Sequence, residues 1–124
     1  MKFRRIYSAP GDTYAGVKFE PRTSRIVNPD GRVVFEAKDA LVPTGWTQVA
    51  VDVLAQKYFR KAGVPTALKR IPEEGVPEWL WRSEPADGAE FTMELDARQV
   101  FGRLAGCWTY WGYKHGYFDS EEDA

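Results

Sequence analysis

The chain has 124 residues, 44% hydrophobic, 28% charged and 15% aromatic, with a net charge of −1. This composition is typical of one globular domain, and it excludes a disordered chain. One cysteine, Cys107, and one histidine, His115, exclude a disulfide framework or a zinc finger built by this chain alone. Because no apolar run approaches a membrane span or a secretory leader, we expect a cytoplasmic protein without membrane contact.

Charge is distributed unevenly along the chain. The local net charge is +4 over residues 1–25, +3 over residues 26–70 and −8 over residues 71–124. A basic front is one way to contact nucleic acid, but no nucleic-acid-binding motif accompanies it. The pattern therefore favours pairing of the front with the acidic rear or with a partner.

The front of the chain is predicted to be an irregular arm over residues 1–13, followed by one folded region over residues 14–124. A β-hairpin is predicted over residues 23–37, with its turn at Asn28–Gly31. Pro29 presets the backbone of a type I turn, and Gly31 suits the left-handed position that follows it.

The first helix is predicted over residues 47–62. Five residues form an apolar stripe at helical spacing, namely Trp46, Ala50, Val53, Leu54 and Tyr58. Gly63 and Pro65 then end the helix.

Residues 64–95 are predicted to be an aromatic-rich loop. Four prolines exclude a long helix there. The VPEWLW segment favours one short turn that places Trp79 and Trp81 against a hydrophobic surface, because exposed tryptophans are costly.

The second helix is predicted over residues 97–113, with Asp96 as N-cap and Gln99 completing a variant capping box. Its apolar stripe contains Val100, Phe101, Leu104, Cys107, Trp108 and Trp111. The position of Cys107 in this stripe favours a small buried hydrophobic residue over a reactive thiol. His115 is interpreted as a solvated or C-capping residue.

The last residues, 119–124, resemble the start of a further helix capped by Asp119. A cap without a helix behind it leads us to expect that the chain was cut from a longer one.

We predict no catalytic, cofactor-binding or metal-binding residue. The fold class is α+β: an amino-terminal hairpin, two main helices and an aromatic-rich loop, truncated before a further helix.

An aromatic cluster surrounds the end of the second helix. Its six members are Trp108, Tyr110, Trp111, Tyr113, Tyr117 and Phe118. Such a cluster can stack bases or a flat cofactor, but at helical spacing it is more typical of a core or of a surface packed on another domain.

Four segments together resemble a specific family: RTSRIVNPDGRVVFE (22–36), VAVDVLAQKYFRKAGVP (49–65), VPEWLWRS (76–83) and ARQVFGRLAGCWTYWGYKHGYFDSEEDA (97–124). They resemble the amino-terminal region of the adenosylcobalamin-dependent, class II ribonucleotide reductases. The resemblance covers residues 14–124, and its most specific parts are AQKYFRKAGVP and WTYWG.

The resemblance implies a parent oxidoreductase that makes deoxyribonucleotides for DNA synthesis. In this family, adenosylcobalamin generates a thiyl radical on a cysteine of a ten-stranded α/β barrel. A cysteine pair and a carboxylate assist the reduction of the ribonucleotide substrate, and deoxynucleotide effectors tune base selection. None of these motifs lies in residues 1–124, so Cys107 matches no catalytic cysteine of the family.

The expected role of this chain is therefore to support the catalytic barrel, with the six aromatic residues packed against the remainder of the enzyme. The chain alone is expected to be inactive, to bind no cofactor and to self-associate through its exposed apolar surface. The alternative is a small stand-alone adaptor that binds a protein partner or nucleic acid through the Trp/Tyr face or the basic front.

Overall fold

The computed structural model describes all 124 residues and has the α+β architecture predicted from the sequence. A long antiparallel strand pair is followed by a short helix, two small two-stranded ribbons and one long helix. The elements are β1 (Phe19–Val27), β2 (Val33–Pro43), α1 (Gln48–Val53), a π-helix (Leu54–Tyr58), β3 (Val64–Pro65), β4 (Leu68–Arg70), a 3₁₀-helix (Glu78–Leu80), β5 (Ser83–Pro85), β6 (Phe91–Thr92) and α2 (Ala97–Lys114).

The hairpin has its turn where the sequence places it, but its strands are longer than residues 23–37. The Gly31 amide donates to the Asn28 carbonyl at 2.9 Å, and Gly31 has a φ of 84°. Pairing continues to Phe19 opposite Pro43 through a bulge, at which Asp39 has a φ of 55°. Aspartate tolerates this left-handed conformation, so the bulge forms without a glycine. The strands therefore continue beyond the predicted residues.

The first helix begins as predicted but ends earlier than residue 62. The Thr47 hydroxyl caps it by accepting from the Ala50 amide at 3.3 Å. After Val53 the backbone widens into the π-helix, and the Phe59 amide donates to the Leu54 carbonyl at 3.1 Å. Phe59 then takes an extended conformation and buries its ring in the core, which is why the helical stripe stops at Tyr58.

The segment predicted to be a loop contains regular structure. β3 pairs with β6, and β4 pairs with β5, both antiparallel. The 3₁₀-helix forms in the VPEWLW segment and buries Leu80. Trp79 stays 48% exposed, so the predicted packing of both tryptophans against a hydrophobic surface is incomplete at Trp79. Each indole N–H has a partner: Trp79 donates to Glu121 and Trp81 to the Val76 carbonyl, both at 2.8 Å.

The long helix α2 is capped reciprocally at its start and ends one residue beyond the predicted boundary. The Asp96 carboxylate accepts from the Arg98 amide at 2.9 Å, and the Gln99 side chain accepts from the Asp96 amide at 3.0 Å. None of the helices combines the length and the hydrophobicity that a bilayer crossing requires.

The core is small and lies where the hairpin, α1, the π-helix and the first turn of α2 meet. It consists of Ala37, Ala40, Val42, Val51, Leu54, Ala55, Phe59, Ala97 and Val100. The buried residues from α2 lie in its first turn and Leu104 packs against them from the next turn, so most of this helix projects beyond the core.

A buried carboxylate joins the end of the π-helix to α2. Glu94 is 3% exposed. Its carboxylate accepts from Arg103 Nε and from the Arg60 amide, both at 2.8 Å, while Arg103 also donates to the Tyr58 carbonyl at 2.6 Å. The base of α2 is therefore held to the core by a fully paired ionic contact.

The amino-terminal arm lies against the carboxyl-terminal residues. The Phe3 amide donates to the Asp123 carboxylate at 2.9 Å, and this hydrogen bond lowers the pKa of Asp123. Residues 119–124 form turns and not the predicted helix start. The turn is held instead by Ser120, which exchanges hydrogen bonds with Asp123, and by the arm itself.

Candidate docking surface

Three of the six predicted aromatic residues lie together on the surface of α2 and the turn after it. Trp108, Trp111 and Tyr117 are 63%, 56% and 61% exposed. They line an open concavity with Gly112 and His115. We call this trio the aromatic face.

The other three aromatic residues are at least partly covered by the rest of the chain. Tyr110 bonds to Glu73, Phe118 packs on Phe3 and Gly112, and Tyr113 is half-buried. The structure therefore does not bring all six onto one exposed surface.

Glu73 connects the loop before the 3₁₀-helix to the distal half of α2. Its carboxylate accepts from Tyr110 Oη at 2.8 Å and from Lys114 Nζ, and it lies 3.4 Å from Arg82 Nε. The hydrogen bond from Lys114, followed by that from Tyr110, lowers the pKa of Glu73. The same contact with Glu73 raises the pKa of both Lys114 and Tyr110. This network positions the helix beneath the aromatic face.

A second apolar surface lies near the core, in a groove of about 380 Å³ between the first helical segment and α2. Its lining from the first segment is the predicted stripe, Trp46, Ala50, Val53, Leu54 and Tyr58. Its lining from α2 is Val100, Phe101 and Leu104. The sequence predicted both stripes but not the open space between them, which forms where the π-helix replaces the regular helix.

Cys107 is exposed, so its interpretation as a buried residue is wrong. The reason is the position of the core, because Val100 is the last residue of α2 that the core buries. His115 caps α2 through its amide, which donates to the Trp111 carbonyl at 3.1 Å.

The side chains of this chain do not assemble a redox or metal centre. No group of three or more His, Cys, Asp or Glu side chains is placed to hold a metal ion. The chemistry implied by the resemblance needs a radical cysteine and a cysteine pair, whereas this chain has Cys107 alone. These residues therefore do not fit an adenosylcobalamin-dependent active site, and no catalytic step is assigned to them.

Comparison with known proteins identifies what the chain is similar to. A sequence model described as class II vitamin B12-dependent ribonucleotide reductase matches residues 20–124. A vitamin B12-dependent ribonucleotide reductase of Bradyrhizobium diazoefficiens is 54% identical over 100% of this chain and 11% of its own length. The protein of the same name from Agrobacterium fabrum is 51% identical over 100% of this chain and 10% of its own length.

A more distant relative extends the same pattern. The vitamin B12-dependent ribonucleotide reductase of Rhodopirellula baltica is 27% identical over 89% of this chain and 8% of its own length. The chain thus spans about a tenth of the length of the curated relatives it matches. These matches support the reductase interpretation over the stand-alone adaptor. The chain belongs to the class II, vitamin B12-dependent ribonucleotide reductase family and corresponds to the amino-terminal region of its members.

Proposed function

We propose that this chain is a non-catalytic docking region of an enzyme that reduces ribonucleotides to deoxyribonucleotides with adenosylcobalamin. The observation that carries the proposal is the location of the apolar surface. The aromatic face lies outside the small core, and each of its three side chains is more than half exposed. A large exposed apolar patch is typical of a surface covered by another part of a protein.

The chemistry is assigned to the remainder of the reductase polypeptide. With one cysteine, this chain cannot supply both a thiyl radical and a reducing pair. Adenosylcobalamin supplies the radical when it is bound elsewhere in the enzyme. The ribonucleotide substrate and the deoxynucleotide effectors are likewise assigned to the remainder, and the enzyme is proposed to act in the cytoplasm during DNA replication.

The six aromatic residues divide into two roles in this proposal. Trp108, Trp111 and Tyr117 contact the remainder of the enzyme directly, which their exposure supports. Tyr110, Tyr113 and Phe118 support this surface from within the chain. Trp and Tyr are enriched among residues that dominate protein interfaces, because they bury a large area at a low entropic cost.

The test replaces the matching segment of the full-length Bradyrhizobium diazoefficiens relative with this chain. We expect the chimera to reduce ribonucleotides when adenosylcobalamin is supplied. Converting Trp108 and Trp111 to aspartate should then lower activity at least about tenfold, since two buried aromatic contacts are each worth 1–2 kcal/mol or more. The matched control is Val34→Asp, which changes a residue on β2 that is 59% exposed and should leave activity unchanged.

Two results would count against the proposal. One is a chimera that folds but lacks reductase activity. The other is full activity in the Trp108/Trp111 variant, because a docking surface cannot tolerate two buried charges.

A further inference from the structure

We propose that the exposed side of α2 is a seam for a second α-helix, contributed by the remainder of the reductase polypeptide. This helix would run along α2 from the aromatic face and insert apolar side chains into the groove beside the core. The proposal rests on the proposed function and specifies the secondary structure and chemistry of the docked segment.

Three exposed residues of α2 and the half-buried Leu104 have the spacing of a helix–helix seam. Phe101, Leu104, Trp108 and Trp111 are separated by three, four and three residues, which is the a/d pattern of a heptad. Phe101 is 41% exposed, and both tryptophans are more than half exposed. The seam extends about 15 Å along the helix at 1.5 Å per residue. Its first two residues line the groove and its last two belong to the aromatic face, so the two surfaces are continuous along α2.

The chemistry of the groove favours a helix as its occupant. Leu54 and Val100 form its buried floor, and Val53 and Tyr58 form an exposed wall. The lining side chains are all hydrophobic, and the surface that they present to the groove has almost no polar atoms to pair with a peptide N–H or C=O. An extended segment would lose hydrogen bonds to water without replacing them, whereas a helix satisfies its own backbone.

The length of the relatives indicates where this helix comes from. About nine-tenths of each rhizobial relative lies outside the segment that this chain matches. A segment on the same polypeptide faces the seam at an effective concentration of about millimolar, far above that of a second copy at ordinary enzyme concentrations. We therefore commit to an amphipathic helix of the same polypeptide, with apolar residues at heptad spacing.

The experiment places a photo-cross-linking amino acid, benzoylphenylalanine, at Leu104 or at Trp111 of the full-length chimera described above. The two replacements are made in separate proteins. If one of them disturbs folding, the other still reports on the seam. The control carries the same probe at the exposed Val34 on β2. Cross-linked peptides are identified by mass spectrometry, and the size of the adduct shows whether one or two polypeptides are joined.

We expect both probes to label one segment outside residues 1–124, at residues three, four or seven apart. The yield at that segment should exceed the Val34 control by about tenfold, the difference that corresponds to 1.4 kcal/mol of preferential contact. Three results would overturn the proposal: adducts between two copies, labelling of alternate residues as in a strand, or a yield no higher than the control.

Reductase activity measured on the chimera without a probe separates this inference from the proposed function. An active chimera whose cross-links lack helical spacing refutes the helix alone. An inactive chimera with helical cross-links supports the seam and refutes the functional assignment.

Discussion

At the scale of single residues, Gly112 determines how the chain reverses after α2. An added Cβ at this position would lie 2.7 Å from Cε2 of Phe118, closer than side chains approach one another. The ring of Phe118 rests on the bare backbone and contacts Phe3, with ring centroids 5.4 Å apart. Glycine within a helix costs about 1 kcal/mol relative to alanine, and here it makes room for a tertiary contact.

Gly112→Ala should therefore destabilise the chain by about 1–3 kcal/mol, the usual range for overpacking a filled site. Its matched control is Gly106→Ala in the same helix, where an added Cβ meets nothing within 4 Å. The control should stabilise the chain by about 0.5–1 kcal/mol, because alanine is the better helix former. Urea denaturation of the full chain measures both changes. Equal stabilisation by the two substitutions would show that the Phe118 ring moves aside freely.

At the scale of elements, α2 is attached by two ionic contacts that differ in their environment. Near its start, Arg103 meets the buried Glu94. Near its end, Lys114 and Tyr110 meet Glu73, whose side chain is partly exposed. The second contact responds to pH, because Glu73 has a pKa below its usual value of 4.5 and ionises more readily in the folded chain.

A carboxylate with a lowered folded pKa stabilises the fold fully above its unfolded pKa. This contribution is lost as the pH falls below about 4.5 and through the folded value. We expect acidification in this range to release residues 71–82 from α2, which tryptophan fluorescence from Trp79 and Trp81 reports. Glu73→Gln should abolish that fluorescence transition, whereas Glu74→Gln, a neighbour with an exposed side chain, should retain it. A transition that persists unchanged in Glu73→Gln would assign it to another carboxylate.

The elements that the sequence predicted best are those that local chemistry specifies. The turn at Gly31 and the Asp96–Gln99 capping box depend on residues within a few positions of one another, and both occur in the structure. The π-helix and the early exit at Phe59 depend on tertiary packing, which outweighs helix propensity. The bond between Glu73 and Tyr110 joins residues 37 positions apart, and spacing alone gives no signal for it.

The sequence predicted which residues of α2 form the candidate site but not how they are placed relative to the core. Helical spacing identified the apolar residues of α2, including Phe101, Trp108 and Trp111. It could not show that Val100 is the last buried residue of α2, because the size of a core depends on which other elements reach it. For the same reason the exposure of Cys107 was not foreseen.

At the scale of the whole molecule, the chain has a core of nine buried residues and a larger set of exposed hydrophobic ones. The seam on α2 is part of that exposed surface. Water contact along it is unfavourable by roughly 25 cal/mol per Å² of apolar area. The isolated chain should relieve this cost by associating with itself.

We expect sedimentation of the isolated chain to show reversible association with a Kd between about 1 μM and 1 mM, equivalent to roughly −8 to −4 kcal/mol. The double variant Phe101→Asp and Trp108→Asp should remain monomeric, because association would bury unpaired charges. Val34→Asp should associate like the unmodified chain. Association that is insensitive to the seam substitutions would assign it to a different surface.

The contact of Phe3 with Asp123 and Phe118 imposes an order on events at the ribosome. Phe118 and Asp123 are synthesised roughly 6–24 s after Phe3, at 5–20 residues per second. The hairpin and the core can form while the arm still lacks its binding site. Docking of the arm therefore follows formation of the hairpin and the core, and it requires that this segment has been translated through the turn at residues 119–124.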